Sequence, residues 1–240
     1  ENGWVPDLTA IPNDVAKRSK VIWLNYPNNP TGAVVESHYL QEVVRFAKEF
    51  DIAVMYDAAY TEVAFDGYRP ISFMEIPGAL DVGLEFHSLS KSYNMTGWRL
   101  GSAVGNQDMI EALMVIKSNL DSGVPNAVQY MGIEALKISD DEIESRNTIY
   151  QQRRDKVVIA LEKMGLEVTS PKAGLYVWAK VPVGYTSAQF AEILLEERDV
   201  VVTAGNGYGP SGEGYIRLSL TISESDLSEG LDRLEGWATR

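Results

Sequence analysis

The sequence predicts an α/β fold, a mostly parallel sheet with helices on both faces, followed by a smaller α+β domain. Short apolar strands alternate with amphipathic helices over residues 21–120, a pattern typical of parallel sheets covered by helices. Polar clusters follow three of these strands. After Pro125 the pattern changes, because a long helix is followed by three further short strands.

The strands of the first domain are short apolar runs bounded by polar or turn residues. They cover residues 21–24, 52–56 and 83–87, and a short fourth strand covers 101–104. Pro27 and Pro30 end the first of them in a turn.

Two helices accompany these strands. We expect Ser37 to cap the first helix, which places Leu40, Val43, Val44 and Ala47 at helical spacing. We expect Asn106 to cap the second. The apolar positions of the second helix, expected on its buried side, are Met109, Ile110, Leu113, Met114 and Ile116.

The second domain is expected to begin with a long helix. Ser139 and Glu142 form the pattern of a capping box, and the helix can run to Met164, with Gly165 as its stop. We therefore place the domain boundary near Ser139, with a large domain at 1–138 and a small one at 139–240. Strands are expected at 175–179, 200–203 and 215–220, and helices at 187–198 and 224–237.

Composition excludes several classes of function. The net charge of −13 argues against nucleic-acid binding, which recruits basic patches. No apolar run approaches the roughly 20 residues needed to span a bilayer, so no membrane partner is expected. The chain has no cysteine, which excludes disulfides and fits a cytoplasmic protein. His38 and His87 are the only histidines, and their spacing does not suggest a metal site.

The most informative polar cluster surrounds Lys91. This lysine lies just past a predicted strand end, where open α/β sheets place their ligands. Ser88 and Ser90 precede it, and Arg99 follows it eight residues later. The group suits a phosphate held beside an amine, although a surface lysine and arginine in a strand-to-loop connection are an alternative.

Two more clusters follow strands, Asn25–Gly32 with its Asn-Pro-Thr-Gly turn, and Tyr56–Tyr60, which contains Asp57. With Ser88–Arg99 and the run Tyr215–Ser219 around Arg217, these motifs resemble the fold-type I, pyridoxal-phosphate-dependent aminotransferases of class I/II. The resemblance runs along the whole chain in the family's order. Within the family it is most similar to the LL-diaminopimelate aminotransferases, especially at residues 90–99 and 204–209.

The resemblance implies pyridoxal 5′-phosphate as the cofactor and assigns its chemical partners. Lys91 would bond to the cofactor aldehyde and, once released by the substrate, serve as the general base. Asp57 would keep the ring nitrogen protonated through a charge-assisted hydrogen bond. The alternative for Asp57 is a helix N-cap, which is common at strand ends.

The remaining site residues are also assigned by resemblance. Tyr60 and Asn29 would donate to the phenolate oxygen of the cofactor, and Ser88, Ser90 and Arg99 would bind its phosphate. Arg217 would bind the substrate α-carboxylate through its planar fork of donors, with Asn29 beside it. The alternatives are ordinary strand-end hydroxyls for the serines and a surface arginine on an edge strand for Arg217.

The glycine-rich run at 205–209 also resembles a nucleotide-binding loop. It follows a predicted strand but opens no helix, so it lacks the context of a dinucleotide-binding fingerprint. We interpret it as a loop that lines the substrate pocket.

The function expected from the resemblance is transfer of an amino group between an amino acid and a 2-oxo acid, with LL-diaminopimelate and 2-oxoglutarate as candidate substrates. A pyridoxal-phosphate-dependent C–S lyase of the same fold and a non-catalytic ligand-binding module are alternatives. The resemblance also implies a homodimer. Because the chain opens on Glu1 and not on Met, we expect it to be the C-terminal part of a longer protein and inactive alone.

Overall fold

A computed structural model describes residues 3–235 and Trp237. Its internal contacts divide the chain into two compact units. The first comprises the chain through Asn28 together with Ala33–Ile143, and the second comprises Asn29–Gly32 together with the chain from Glu144 onward. Four residues that follow the first strand therefore belong, by their contacts, to the second unit.

The first unit is built on a four-stranded sheet. Its strands are β1 (Val21–Asn25), β2 (Ala53–Asp57), β3 (Gly83–Ser88) and β4 (Gly101–Gly105), in the spatial order β1-β2-β3-β4. The first three are parallel, whereas β4 runs antiparallel to β3. The predicted mostly parallel sheet is confirmed.

The register aligns the carboxyl ends of the three parallel strands. Asn25 of β1 lies opposite Asp57 of β2, and Asp57 lies opposite Phe86 of β3. Because each strand ends at the same edge of the sheet, the polar residues that follow the strands are collected there.

The second helix of this unit forms the core with β2. Leu40 and Val43 are fully buried and pack in one cluster with Val54 and Tyr56. The expected cap at Ser37 is wrong, because Ser37 is the first helical residue and accepts a hydrogen bond from Gln41. The α-helices of this unit are α1 (Asn13–Arg18), α2 (Ser37–Phe50), α3 (Ala79–Val82), α4 (Leu89–Ser92), α5 (Gln107–Leu120) and α6 (Asn126–Ala135), with 3₁₀ turns at Leu8–Ala10, Phe73–Glu75 and Thr96–Trp98.

Helix α5 begins as expected but is not buried as expected. Oδ1 of Asn106 accepts a hydrogen bond from the Met109 amide at 3.1 Å, which confirms the cap. No residue of α5 is buried, and the side chains of Met114 and Ile116 are 54% and 61% exposed. Helical spacing reveals an apolar face but not which element covers it, so the expected burial was wrong.

The long helix α7 spans Asp140–Lys163. The Ser139 amide donates to Glu142 at 3.1 Å and the Ser139 hydroxyl accepts from the Glu142 amide at 3.4 Å, which confirms the capping box. The contacts divide the chain in the first turn of α7, after Ile143. The domain boundary near Ser139 remains a prediction. Within the described residues, no helix combines the length and apolarity that crossing a bilayer requires.

The second unit carries a three-stranded antiparallel sheet in the order β5-β7-β6. On one face of it, Val177, Ala179 and Ile216 are fully buried. On the other face lie Trp178 and Arg217, which are direct register partners. The elements are β5 (Tyr176–Lys180), α8 (Ser187–Arg198), β6 (Thr203–Ala204), β7 (Tyr215–Ser219) and α9 (Glu224–Glu235), with 3₁₀ turns at Gly205–Tyr208 and Pro210–Gly212.

Candidate active site

Lys91 lies at the carboxyl edge of the first sheet. It is the third residue of α4, which begins directly after β3. The residues on either side of it, Ser90 and Ser92, are 4% and 5% exposed, and Lys91 itself is half-buried. Its Nζ has no hydrogen bond or ion pair to any other residue that the structure describes. The amine is therefore held at the strand end without a partner among residues 3–235 and Trp237.

Asp57 is the last residue of β2, and its side chain is partly withdrawn from water. Burial raises the pKa of this carboxyl above its ordinary value, and a hydrogen bond from the Ala59 amide at 3.2 Å only partly opposes that shift. A turn follows β2, so the alternative of a helix N-cap is wrong. A carboxylate in this environment is stabilised by a cationic donor.

Two residues that the sequence analysis did not single out fix this strand end. Nδ2 of Asn25 donates to the backbone carbonyl of Asp57 at 2.9 Å. Nδ2 of Asn28 in turn lies 3.3 Å from both Oδ1 and the backbone oxygen of Asn25. Polar residues at the end of an apolar strand were the available signal, but the cross-strand bond depends on register. Tyr60, three residues after Asp57, is 6% exposed.

Of the three residues predicted to bind phosphate, Arg99 and Ser90 are in contact. Nη1 of Arg99 donates to the Ser90 hydroxyl at 3.4 Å and to the Thr96 carbonyl at 3.0 Å. Ser88 lies opposite Gly101 in the β3–β4 ladder, two residues beyond Arg99. The structure thus gathers a guanidinium and two hydroxyls near the end of β3, a donor set suited to an oxyanion.

Arg217 forms a separate cluster in the second unit. Its Nη1 donates to Oδ1 of Asn29 at 2.9 Å, and its Nε is buried without a hydrogen-bond partner among the described residues. Arg217 lies on β7, the central strand of its sheet, which rules out the edge-strand alternative. A guanidinium with one bound amide oxygen and an unsatisfied Nε retains donor capacity for an anion.

A glycine shapes the turn that carries Asn29. Gly32 has a φ of +70°, in the left-handed region that favours glycine. A Cβ at this position would lie 2.6 Å from Cβ of Pro171, closer than carbon atoms pack. The Asn-Pro-Thr-Gly turn therefore fits against Pro171 only because its last residue has no side chain.

Comparison with known proteins decides the family. Residues 1–234 match the profile of the family described as aminotransferase class I and II. The chain belongs to this family. It is 57% identical over 240 residues to an LL-diaminopimelate aminotransferase of Dehalococcoides mccartyi, covering 100% of this chain and 62% of the relative. An LL-diaminopimelate aminotransferase of Moorella thermoacetica is 55% identical over 97% of this chain and 60% of its own length.

Solved structures are similar over nearly the whole chain. BacF from Bacillus subtilis in its apo form has a TM-score of 0.92 and 37% identity, over 98% of this chain and 63% of that one. A probable N-succinyldiaminopimelate aminotransferase from Thermus thermophilus has a TM-score of 0.91 and 34% identity, over 98% and 63% of the two chains. The chain thus spans about three fifths of the length of its curated relatives.

The cofactor of this aminotransferase family is pyridoxal 5′-phosphate. The donor set of the first unit fits that molecule. Lys91 offers an amine that no described residue binds, and Asp57 offers a carboxylate whose pKa burial raises. Ser90 and Arg99 offer oxyanion donors. These are the groups that its aldehyde, ring nitrogen and phosphate require.

Proposed function

We propose that this chain carries cofactor- and substrate-binding residues of a pyridoxal-phosphate-dependent aminotransferase, with LL-diaminopimelate as the amino donor and 2-oxoglutarate as the acceptor. The observation that carries the proposal is the Nζ of Lys91, which no described residue binds, at the carboxyl end of β3 and next to the strand that ends in Asp57. The name of the relatives at 55% and 57% identity supports the choice of substrate.

Lys91 and Asp57 would perform the proton chemistry. The cofactor, when bound, accepts the electron pair left on the substrate Cα after its proton is removed. Nζ of Lys91, once neutral and free, is the base that takes this proton. Asp57 keeps a proton on the ring nitrogen, because a cationic partner relieves the cost of its partly buried charge.

The other residues bind and orient. Ser88, Ser90 and Arg99 would hold the phosphate, and Tyr60 and Asn29 the phenolate oxygen. Arg217 would bind the α-carboxylate of the amino acid, with its Nη1 already engaged by Asn29.

The oligomeric state and the cellular location are also proposals. A homodimer and a cytoplasmic location remain predictions from the resemblance and the composition. Amino-acid and 2-oxo-acid substrates are the partners we propose.

The test combines a chemical label with an assay. The purified protein is incubated with pyridoxal 5′-phosphate, reduced with borohydride, digested and mapped by mass spectrometry. We expect the label on the peptide that contains Lys91, and its loss in Lys91→Ala. A label confined to Lys117 or Lys172 would contradict the assignment. Transfer of the amino group from LL-diaminopimelate to 2-oxoglutarate is then measured after this chain is joined to the N-terminal part of an LL-diaminopimelate aminotransferase, because the chain alone is expected to be inactive. The competing donors are meso-diaminopimelate and L-aspartate.

A further inference from the structure

Two tyrosine rings contact the guanidinium of Arg217. Its Cζ lies 3.9 Å from the ring centroid of Tyr176 and 5.1 Å from that of Tyr208. Both distances fall within the roughly 6 Å over which a cation is attracted to an aromatic face. Since Arg217 is only partly exposed, this attraction is less screened than it would be on an open surface.

The two rings come from opposite flanks of the strand that carries Arg217. β7 lies between β5 and β6 in the sheet. Tyr176 is the first residue of β5, and Tyr208 ends the short 3₁₀ turn that follows β6. The guanidinium is therefore contacted from both sides. A rotation of the Arg217 side chain toward β5 or toward β6 would bring it against a tyrosine ring.

Aromatic packing and a tight turn hold the Tyr208 ring. It meets Trp178 edge to face, with centroids 5.8 Å apart, and Trp178 stacks on Tyr215 at 5.2 Å. The turn bearing Tyr208 begins at Gly205, where a Cβ would overlap the backbone oxygen of Gly212 and lie 2.6 Å from that of Tyr215. The first residue of the turn is therefore fixed by close backbone packing, and the contact with Trp178 holds the Tyr208 ring itself.

We propose that Tyr176 and Tyr208 are positioning residues that hold the Arg217 guanidinium before a ligand arrives and leave only its edge open. The site would then select planar carboxylates over tetrahedral oxyanions. This inference rests on the proposed role of Arg217 in binding the substrate α-carboxylate. Its physical basis is that a carboxylate accepts hydrogen bonds in the plane of the guanidinium. A phosphonate projects oxygens out of that plane, toward the rings.

Positioning also affects affinity. A free arginine side chain has many rotamers, and ordering them opposes binding. Contacts with two rings and the bond to Asn29 order the side chain in the ligand-free protein. Removing one ring should therefore weaken carboxylate binding about three- to tenfold, the range expected for the loss of one partly buried cation–π contact.

The first measurement is an NMR spectrum of the arginine Nε–H groups in the full 240-residue chain, with Arg217→Lys used for assignment. We expect the Arg217 Nε–H signal to be displaced by the ring currents and to exchange slowly with water, because Nε is buried. Tyr176→Leu and Tyr208→Leu should each move the signal toward the ordinary arginine position. Tyr176→Phe and Tyr208→Phe keep the rings and should leave it in place.

The second measurement follows this signal during titration with L-alanine and with its tetrahedral analogue, 1-aminoethylphosphonate. We expect the wild type to prefer alanine by about tenfold or more, and both leucine variants to lose most of that preference while the phenylalanine variants keep it. Tyr208, whose side chain is 40% exposed, can be truncated with less risk to folding than Tyr176.

The outcomes distinguish carboxylate binding by Arg217 from the positioning of Arg217 by the two tyrosines. Alanine binding to Arg217→Lys is measured by calorimetry, because this variant has no Nε–H signal to follow. If its affinity for alanine is unchanged, Arg217 is not the carboxylate site and the proposed function loses that assignment. If Arg217→Lys weakens binding but both leucine variants match the wild type, the tyrosines do not position the arginine. An undisplaced Nε–H signal in the wild type, or equal binding of the two ligands, would also overturn the positioning role.

Discussion

Asn29 and Arg217 are joined by a hydrogen bond of 2.9 Å between Oδ1 and Nη1, although 188 positions separate them in the sequence. Asn29 belongs to the turn after β1, and Arg217 to the middle of β7. A bond between residues so distant in sequence requires the intervening chain to be folded correctly.

Arg217→Lys should weaken the binding of α-amino acids about tenfold or more while leaving simple amines nearly unaffected. Lysine keeps the charge but lacks the planar fork, and it cannot donate to Asn29 and to a carboxylate with the same geometry. The measurement compares apparent affinities for L-alanine and ethylamine in the two proteins. Equal losses for both ligands would refute the role of Arg217.

Gly32→Ala should destabilise the turn that carries Asn29 more than a left-handed backbone alone explains. Gly67 provides the matched control, because its φ of +69° is nearly that of Gly32 but no atom lies within 4 Å of a Cβ there. We expect Gly67→Ala to cost about 1 kcal/mol, and Gly32→Ala a further 1–3 kcal/mol for the overlap with Pro171.

Denaturant titration at equilibrium measures both glycine variants. A shift of Asn29 in the Gly32→Ala protein should also weaken carboxylate binding, which Gly67→Ala should leave intact. Equal loss of stability in the two variants would show that the turn accommodates a methyl group against Pro171.

Asp57→Asn should stabilise the cofactor-free protein at neutral pH. It should lower the activity of the protein that holds the cofactor. Burial raises the folded-state pKa of Asp57 above the ordinary value of 3.8. The ionised side chain therefore destabilises the fold, and this cost is complete at any pH above the folded-state pKa. The advantage of the variant should grow as the pH rises through the folded-state pKa and vanish below about 3.8.

When this chain is joined to the N-terminal part of an LL-diaminopimelate aminotransferase, Asp57→Asn is expected to lower the activity about 100-fold, equivalent to about 2.7 kcal/mol, because the cofactor ring would lose its anionic partner. Thermal unfolding from pH 3 to 8 measures the stability difference. Asp232→Asn, at an exposed aspartate of α9, controls for a general change of net charge. A less stable Asp57→Asn protein at pH 7 would contradict the effect assigned to burial.

Glu85→Gln should destabilise the first unit by about 2–4 kcal/mol, because it removes a buried, fully engaged carboxylate. The side chain of Glu85 is 1% exposed and lies 2.8 Å from Nε2 of His87. It also accepts hydrogen bonds from the Ser72 hydroxyl at 2.8 Å and from the Met74 amide at 3.3 Å. The side-chain NH2 group of a glutamine would face at least one of these hydrogen-bond donors, and no hydrogen bond could form there.

The ion pair between Glu85 and His87 predicts how the free energy of unfolding depends on pH. Burial alone would raise the pKa of Glu85, but hydrogen bonds from His87 and Ser72 outweigh it and hold the pKa below 4.5. The hydrogen bond to Glu85 raises the pKa of His87 above 6.5. The contribution of Glu85 is therefore lost as the pH falls through its lowered pKa. That of His87 is lost as the pH rises through its raised pKa.

We expect wild-type stability from this pair to be greatest between about pH 4.5 and 6.5. His87→Gln should flatten the alkaline side of the profile, whereas His38→Gln, at the other histidine, should not. Chemical denaturation at several pH values provides the measurement. A profile of His87→Gln that parallels the wild type above pH 6.5 would show that the ion pair does not contribute.

Much of the architecture could be predicted because it is local. The first three strands, the cap at Asn106 and the capping box at Ser139 follow from apolar spacing and the residues that begin helices. The antiparallel direction of β4 and the exposure of α5 could not, since both depend on which elements become neighbours.

The candidate site was also predictable where its features are local and not where they depend on neighbouring elements. The motifs around Lys91, Asp57 and Arg217 were visible as polar residues beside strands. The bond from Asn25 to Asp57 and the rings around Arg217 depend on strand register and on the order β5-β7-β6. Tyr176 and Tyr208 lie 41 and 9 positions from Arg217, and nothing local to either tyrosine identifies it as a partner of the arginine.

The assignment of Asn29–Gly32 to the second unit limits how this protein can be recombined with its relatives. A hybrid gene joined within α7 would take Arg217 from one parent and Asn29 from the other. The new substrate preference would then be inherited incompletely, since the amide that holds the arginine would still be encoded by the first parent. If Arg217 and Asn29 set the specificity as proposed, transplanting it requires two separate exchanges, one of the chain after Ile143 and one of four codons far upstream.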